Sequence, residues 1–241
     1  MEKTMNAENQ KTIGILKNTC KAFSRLSVHP VFIMDLNRDD FIYMSDDIHF
    51  AGYSTKEITE TGWKFFIEIC TPEKRESLGK ALYAARNFYI GLTEDKIYDC
   101  SMSFNVPVRV KNTNMIINAN HQCTPLYIDK STDIYIFMVM IFPGFKTQRQ
   151  TLIIRDNKSG NCRGYYPEED VWVGFENDTE LTGNEKLALT YICSGMSSKM
   201  IAYTMNKSID SINRYRKSII SKLGVNNMHE AVTVAMLHKL I

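Results

Sequence analysis

Residues 194–225 read SGMSSKMIAYTMNKSIDSINRYRKSIISKLGV and hold two short helical patterns in close succession. A serine can cap a helix over Lys199–Met205, and Ser208 can cap a longer helix over Ile209–Leu223. Only a few residues separate the two predicted helices, which is the spacing that a helix-turn-helix requires. This stretch therefore predicts a helix-turn-helix motif.

Two further helices flank this motif. Thr182 can cap one over about Asn184–Ser194, and Asn227 can cap another that runs from Met228 to about Lys239. Because the four predicted helices are short, capped and joined by tight turns, they predict an all-α, four-helix domain at the end of the chain.

Charge is distributed unevenly along the chain. Residues 181–241 contain eight Lys and Arg against three Asp and Glu, a formal charge of +5, whereas the remainder has 21 basic and 24 acidic residues, or −3. A small basic domain attached to an acidic one indicates that one end of the chain meets a polyanion. Several of the cations fall on the predicted 209–223 helix, and a helix of this kind can lie in the major groove of DNA.

Here the sequence resembles the LuxR-type helix-turn-helix family. The matching residues are Leu181-Thr182 with Glu185, SGMSSKMIA (194–202), SIDSINRYR (208–216), Ile219, KLGV (222–225), and Asn227 with Glu230-Ala231. The resemblance implies a four-helix domain that binds double-stranded DNA as a homodimer and regulates transcription, with RNA polymerase as a further candidate partner.

The resemblance also implies DNA-binding roles for individual side chains. Those that would face base edges are Asn213, Arg214 and Lys217, and Asn213 replaces a lysine that many members carry. Those that would lie near phosphates are Ser198, Lys199, Ser208, Ser211, Lys222 and Asn227. Arg216 is a further DNA-binding candidate on the same helix. Tyr215 stands where the family usually has histidine, and for this ring packing is favoured over DNA contact.

The last predicted helix is too apolar for a single buried face. The LuxR-type resemblance implies a dimer interface on this helix, formed by Val234, Ala235 and His238. Packing in the core of the domain itself is the alternative, since short helices often bury two faces.

The preceding part of the chain predicts an α+β domain. A helix over Ala7–Leu26 is followed by two apolar strands, two helices and three longer strands between Val31 and Phe142, an order that favours an antiparallel sheet. A hairpin within residues 151–166 comes next. The predicted parts are an N-terminal helix (1–28), the α+β domain (29–145), a hairpin connector (146–180) and the helix-turn-helix domain (181–241).

The α+β stretch resembles a PAS sensor domain, most specifically in AGYSTKEI (51–58) and ICTPEKRESL (69–78). The resemblance implies a five-stranded antiparallel sheet with helices on one face, which binds an unidentified small molecule or dimerises. Candidates to line an apolar pocket are Phe32, Met34, Ile42, Tyr53, Phe65, Phe66, Met102, Phe104, Ile117, Phe137 and Val139. A fully packed core is the favoured alternative, because apolar residues at strand spacing usually fill cores.

Particular cofactors and a phosphoacceptor role find no support. Residues 61–66 lack the cysteine of a flavin photosensor, and residues 81–93 lack a histidine that could bind haem. His121 lies on a predicted strand, where a hydrogen-bonded core or surface group is the usual state of a lone histidine. Asp35 ends a strand as in a receiver domain, but no acidic pair precedes it. We expect no cofactor, and control by either an unidentified ligand or a partner protein.

Composition excludes further classes of protein. The six cysteines lie far apart without a Cys-x-x-Cys pair, which predicts reduced, mostly buried thiols and no metal site. The first residues do not resemble a signal peptide, and the longest apolar run, Ile134–Phe142, is too short to span a membrane. No Ser/His/Asp order or phosphate-binding glycine loop suggests catalysis. The expectation is a cytoplasmic protein without catalytic residues that does not bind membranes.

Overall fold

The computed structural model describes residues 7–38, 40–45, 49–62, 64–144, 152–175, 181–237 and 240. The chain divides into two compact units, which we call the N-terminal unit (Met1–Glu176) and the C-terminal unit (Asn177–Ile241). Sheet structure dominates the first, and the second is helical.

The elements of the N-terminal unit follow one another in an α+β order. They are α1 (Ala7–Ser24), β1 (Val31–Asp35), β2 (Asp40–Met44), β3 (His49–Phe50), β4 (Tyr53–Ser54), α2 (Thr55–Thr61), α3 (Lys64–Ile69), α4 (Pro72–Gly91), α5 (Glu94–Ile97), β5 (Cys100–Arg109), β6 (Ile116–Asp129), β7 (Ile134–Pro143), β8 (Leu152–Asp156), β9 (Cys162–Tyr166) and β10 (Val171–Phe175). Those of the C-terminal unit are α6 (Gly183–Cys193), α7 (Ser198–Thr204), α8 (Ile209–Lys222) and α9 (Met228–Leu237).

The N-terminal unit is built on an eight-stranded antiparallel sheet with the strand order β10-β9-β8-β5-β6-β7-β1-β2. The expectation of a five-stranded sheet is therefore wrong in strand number. β8 pairs with β5, with Leu152 opposite Phe104, so the hairpin predicted as a connector continues the sheet. Without β8, β5 would be an edge strand with a row of unpaired backbone groups, and β8 satisfies these groups.

One face of the sheet carries the larger apolar core, which α3 and α4 cover. Phe32 of β1 stacks on Phe66 of α3 with ring centroids 5.4 Å apart, and Tyr89 of α4 meets Phe137 of β7 at 4.8 Å. Ten of the eleven pocket candidates belong to this core or pack against it, as the packed-core alternative predicts. The exception is Ile42, which packs in the cluster on the opposite face and so cannot line the same pocket.

The opposite face of the sheet is covered by α1. Cys20 of α1 is buried with Ile33 and Ile136 of the sheet, and Ile13 and Leu16 pack against the same cluster. The apolar side of α1 thus docks on its own domain, because it matches an apolar patch on β1 and β7.

The C-terminal unit has the predicted four helices. One buried cluster joins α6, α8 and α9 through Leu189, Ile219 and Ala231. A second joins α6, α7 and α8 through Ala188, Ile201 and Ile212. A bilayer-spanning helix is absent from the described part of the chain, since none of its helices combines sufficient length with sufficient apolar character.

Candidate nucleic-acid interface

The helix-turn-helix consists of α7, the turn over residues 205–208 and α8. Asn206 adopts a left-handed backbone conformation (φ 50°), which asparagine tolerates better than most residues, and the Lys207 N–H donates to the Ala202 carbonyl at 2.9 Å. Ser208 then caps α8 by accepting a hydrogen bond from the Ser211 N–H at 3.1 Å. The turn is therefore closed by local hydrogen bonds, and the predicted Ser208 cap is confirmed.

The two faces of α8 differ in polarity. Ile212 and Ile219 are fully buried in the clusters that bind α8 to the other helices. Asn213, Arg214 and Lys217 are all exposed, and their spacing of one and four residues places them on one side of the helix. The three residues predicted to face bases therefore form a single exposed surface, which we call the α8 face.

The start of α8 holds part of this surface in position. The hydroxyls of Ser208 and Ser211 lie 2.9 Å apart, and Nη2 of Arg214 donates to Oγ of Ser211 at 3.4 Å. Both serines, predicted as phosphate contacts, are thus engaged in the cap of α8, and Ser211 also orients a guanidinium of the α8 face.

Lys222, another predicted phosphate contact, makes an ion pair inside the domain. Its Nζ lies 2.7 Å from Oε2 of Glu185, whose side chain is only 6% exposed. Glu185 also completes a capping box with Thr182, accepting from the Thr182 N–H at 2.6 Å while the Glu185 N–H donates to Oγ1 of Thr182. The pair therefore joins the start of α6 to the end of α8.

This ion pair changes the titration of Glu185. Burial raises the pKa of the carboxyl group, but hydrogen bonds from Lys222, Ser218 and Thr182 outweigh it and hold the pKa at about 2. The sequence reasoning missed this contact. Its only local signal was the threonine and glutamate of the capping box, and the lysine partner lies 37 positions further along the chain.

The remaining predicted DNA contacts are distributed around the domain. Lys199 is exposed near the start of α7, where Ser197 is the cap and Ser198 is the first helical residue, half-buried. Asn227 caps α9 by accepting from the Glu230 N–H at 2.9 Å. Arg216 is half-buried and lies off the α8 face.

The sequence left two points open: whether the Tyr215 ring packs or contacts DNA, and whether Val234 and Ala235 form a dimer interface or pack in the core of the domain. Tyr215 packs against both clusters of the domain, which confirms packing for this ring. Val234 and Ala235 are buried within their own unit, and Ala235 is 0% exposed, an arrangement that favours the core-packing alternative. Their role in a dimer stays a prediction, and His238 lies outside the described residues.

The imidazole of His121 on β6 is an unusual polar group of the N-terminal unit. The surface alternative predicted for this imidazole is wrong, because the ring is buried. Among the described residues neither nitrogen makes a well-aligned hydrogen bond, and only the Ala119 backbone offers a weak one. The ring stacks on Phe104 with centroids 5.0 Å apart and meets Phe66 edge-on at 5.3 Å. Burial lowers the pKa of His121 from 6.5 to about 4. The ring is therefore neutral at physiological pH.

Among the described residues, no group of three His, Cys, Asp or Glu is arranged to hold a metal ion. All six cysteines are free thiols, and four of them are buried. Burial raises the pKa of Cys70 to about 11, so this thiol is protonated and poorly reactive at neutral pH.

Comparison with known proteins assigns the helical end of the chain. Residues 179–235 match the family described as "Bacterial regulatory proteins, luxR family". The chain is also similar to transcriptional regulatory protein YdfI of Bacillus subtilis (strain 168), with 42% identity over 60 residues, which cover 25% of this chain and 28% of YdfI. Similarity to the Fimbriae Z protein of Salmonella typhimurium is 34% over 68 residues, covering 28% and 32%. The chain thus spans less than a third of the length of these curated relatives.

A solved structure is similar over a longer range. A phage VqmA, crystallised in complex with DPO, is 15% identical with a TM-score of 0.36, and the comparison covers 96% of this chain and 93% of that one. The family match and the two curated relatives identify a LuxR-type helix-turn-helix domain at the C-terminal end of the chain.

Proposed function

We propose that this chain, with a LuxR-type helix-turn-helix domain at its C-terminal end, is a sequence-specific DNA-binding regulator of transcription. The α8 face is the observation that supports this best. Asn213 can pair with adenine, and Arg214 and Lys217 can pair with guanine, when a helix lies in the major groove. The buried side of α8 fixes the helix, so these groups are presented on a rigid element.

The other helix of the motif supplies the contacts to the DNA backbone. In a helix-turn-helix the first helix crosses the backbone while the second reads bases, which assigns Lys199 of α7 to a phosphate. Tyr203 of α7, 90% exposed, is a further candidate for this side of the interface. As a homodimer the protein would bind two half-sites about one DNA turn apart.

The predicted phosphate contacts that are already engaged in the domain retain part of their bonding capacity. A serine hydroxyl has two lone pairs and one proton, and a lysine ammonium has three protons. Phosphate oxygens accept hydrogen bonds, so only the protons of these groups count. The bond between Ser208 and Ser211 uses one of their two hydroxyl protons, and the bond to Glu185 uses one of the three ammonium protons of Lys222. Asn227 uses its carbonyl to cap α9 and its amide on Glu230, so we assign its backbone N–H to the phosphate.

In this proposal the N-terminal unit is a PAS-like sensor that sets DNA affinity from within the cytoplasm. Support comes from the five neighbouring strands β5-β6-β7-β1-β2, with α3 and α4 on one face. A signal bound by this unit would shift the population of the DNA-binding conformation. The protein needs no catalytic residue or resident cofactor for this role, and RNA polymerase is its further candidate partner.

A second candidate is control by a partner protein instead of a small molecule. The edge strand β10 favours it, because Val171, Trp172 and Val173 are exposed there. An exposed apolar edge can receive a strand from another protein. Native mass spectrometry of the purified protein separates the two candidates, since a bound small molecule adds a defined extra mass and protein control does not.

Selection of bound sequences from random double-stranded DNA tests the proposed function. We expect enrichment of a palindrome with two half-sites, because a symmetric dimer reads symmetric DNA. On the selected duplex, the logarithm of the affinity should fall linearly with the logarithm of the salt concentration, with a slope of about −0.9 for each phosphate contact.

Lys199→Ala provides an internal check on that slope. We expect it to weaken binding to all duplexes alike and to reduce the salt slope by about 1. Absence of an enriched sequence, or affinity that does not change with salt, would contradict the proposal.

A further inference from the structure

The N-terminal unit has a groove of about 650 Å³ that the sequence did not indicate. It lies between α4 and the strands β8, β9 and β10, and one wall is formed by Phe88 of α4 and by Leu92, which directly follows that helix. Ile154 of β8 and Arg163 of β9, which are paired across the two strands, line it on the sheet side. The volume lies in the range of sites that bind small molecules.

The carboxylates around this groove are already engaged within the protein. Asp99 holds Nζ of Lys158 at 2.7 Å. Asp156 accepts hydrogen bonds from the backbone N–H groups of Lys158 and Ser159 at 2.8 and 3.0 Å. A hydrogen bond from Thr93 lowers the pKa of Asp95, the third acidic residue of the groove. These groups therefore have limited capacity to bind a ligand cation.

Arg163 differs from these carboxylates. Its side chain is exposed, and it forms no hydrogen bond or ion pair with the residues that the structure describes. A guanidinium presents a planar fork that binds a carboxylate through two parallel hydrogen bonds. Lys96, also on the groove and outside any ion pair with described residues, adds a second positive charge.

Gly174 of β10 keeps the groove open. It pairs with Arg163 on the neighbouring strand, and a Cβ added there would meet no atom within 4 Å. Paired residues of antiparallel strands point to the same face, so a larger side chain at this position would enter the space beside Arg163.

We propose that this groove binds a small monocarboxylate with an apolar body, its carboxylate on Arg163 and its body against Phe88, Leu92 and Ile154. A single negative charge fits better than a doubly charged phosphate, because Asp95, Asp99 and Asp156 surround the site. β10 is the last strand before the C-terminal unit, so occupancy of the groove would reach the DNA-binding domain through β10, a consequence that rests on the proposed function.

Calorimetric titration of the full chain tests the site with benzoate, 3-phenylpropionate, hexanoate and octanoate, each beside its primary amide. At least one carboxylate should bind with a Kd below about 1 mM and about tenfold more tightly than its amide. Arg163→Gln should weaken that binding about tenfold or more, whereas Arg109→Gln, which removes the same charge from the far end of β5, should leave it within about twofold.

A second variant and a positional measurement keep the test decisive. Gly174→Leu should block binding while circular dichroism shows an intact fold, because its side chain fills open space. On addition of the carboxylate, the NMR signals of Ile154 should shift and those of Ile33, on the opposite face of the sheet, should not.

Two results would overturn the site: no carboxylate of the series binds with a Kd below about 1 mM, or Arg163→Gln binds as the unaltered chain does. These measurements contain no DNA, so the site can fail while DNA recognition stands, and the reverse is also possible.

Discussion

The two units place their decisive polar groups in opposite ways. In the C-terminal unit, the amide and cationic groups of the α8 face lie in solvent, and serine caps and one buried carboxylate fix the helix beneath them. In the N-terminal unit, the imidazole of His121 is enclosed among phenylalanines, and among the described residues neither nitrogen makes a well-aligned hydrogen bond. The α8 face is exposed to solvent and the His121 ring is buried. Low pH and substitution should therefore change the stability of the two units differently.

The largest expected effect is a loss of stability of the N-terminal unit in acid that depends on His121. Because burial holds the folded pKa at about 4, below the ordinary 6.5, the unfolded chain binds the additional proton between these values. The stability of the N-terminal unit should therefore fall as pH falls from about 6.5 to about 4, by about 3 kcal/mol. His121→Phe should abolish this part of the pH dependence, while His29→Gln should retain it.

Tryptophan fluorescence in urea measures this effect in the full chain. Both tryptophans, Trp63 and Trp172, lie in the N-terminal unit, so their signal follows that unit alone. Equal pH dependence in His121→Phe and the unaltered chain would show that the imidazole is hydrated or paired, and would remove the contrast between the units.

A smaller effect is expected for the buried carboxylate of the C-terminal unit. Glu185→Gln should destabilise this unit by about 1–2 kcal/mol, because Lys222 loses its ion pair and is itself partly exposed. The folded pKa of Glu185 is depressed to about 2, so the contribution is present above about 4.5 and is lost as pH falls towards 2.

A double-mutant cycle isolates the contact. Glu185→Gln combined with Lys222→Met should reveal a coupling free energy of about 1 kcal/mol in the unfolding transition followed by circular dichroism. The tryptophan signal of the N-terminal unit should not move. Additive effects of the two substitutions would mean that the ion pair contributes nothing to the position of α8.

The smallest stability effect is expected at the cap of α8. Ser208→Ala should cost the C-terminal unit about 1 kcal/mol, because the Ser211 N–H loses its acceptor. Ser221→Ala is the matched control on the exposed side of the same helix, and it should be neutral or slightly stabilising, since alanine is the better helix former. If both variants lose the same stability, the hydroxyl of Ser208 is not the cap.

Much of the C-terminal unit could be predicted from sequence because its signals are local. Thr182, Ser208 and Asn227 each precede a helix and accept a hydrogen bond from a backbone N–H three positions later. The ion pair of Lys222 with Glu185 could not be found in this way, since it depends on how α6 and α8 pack. From the sequence of α8 alone, Lys222 could equally be directed to solvent.

The N-terminal unit was less predictable because its pairings are distant in sequence. The hairpin of β8 and β9 was predicted from its turn, but the pairing of Leu152 with Phe104 spans 48 positions, and apolar alternation does not specify which strand lies beside it. The groove at Arg163 depends on that pairing and was missed for the same reason. For His121, the residue type did not indicate a ring buried among phenylalanines, because those contacts come from distant parts of the chain.

The most direct test of the central claim is the preference of the protein for its selected DNA site over a scrambled duplex of equal length, measured at one salt concentration. Lys217→Ala should lower this preference by about 1–3 kcal/mol, or roughly 5- to 150-fold. Lys186→Ala, which removes the same charge from the exposed side of α6, should leave it within about twofold. If both variants weaken the two duplexes equally and leave the preference unchanged, the α8 face supplies only positive charge and does not read the sequence.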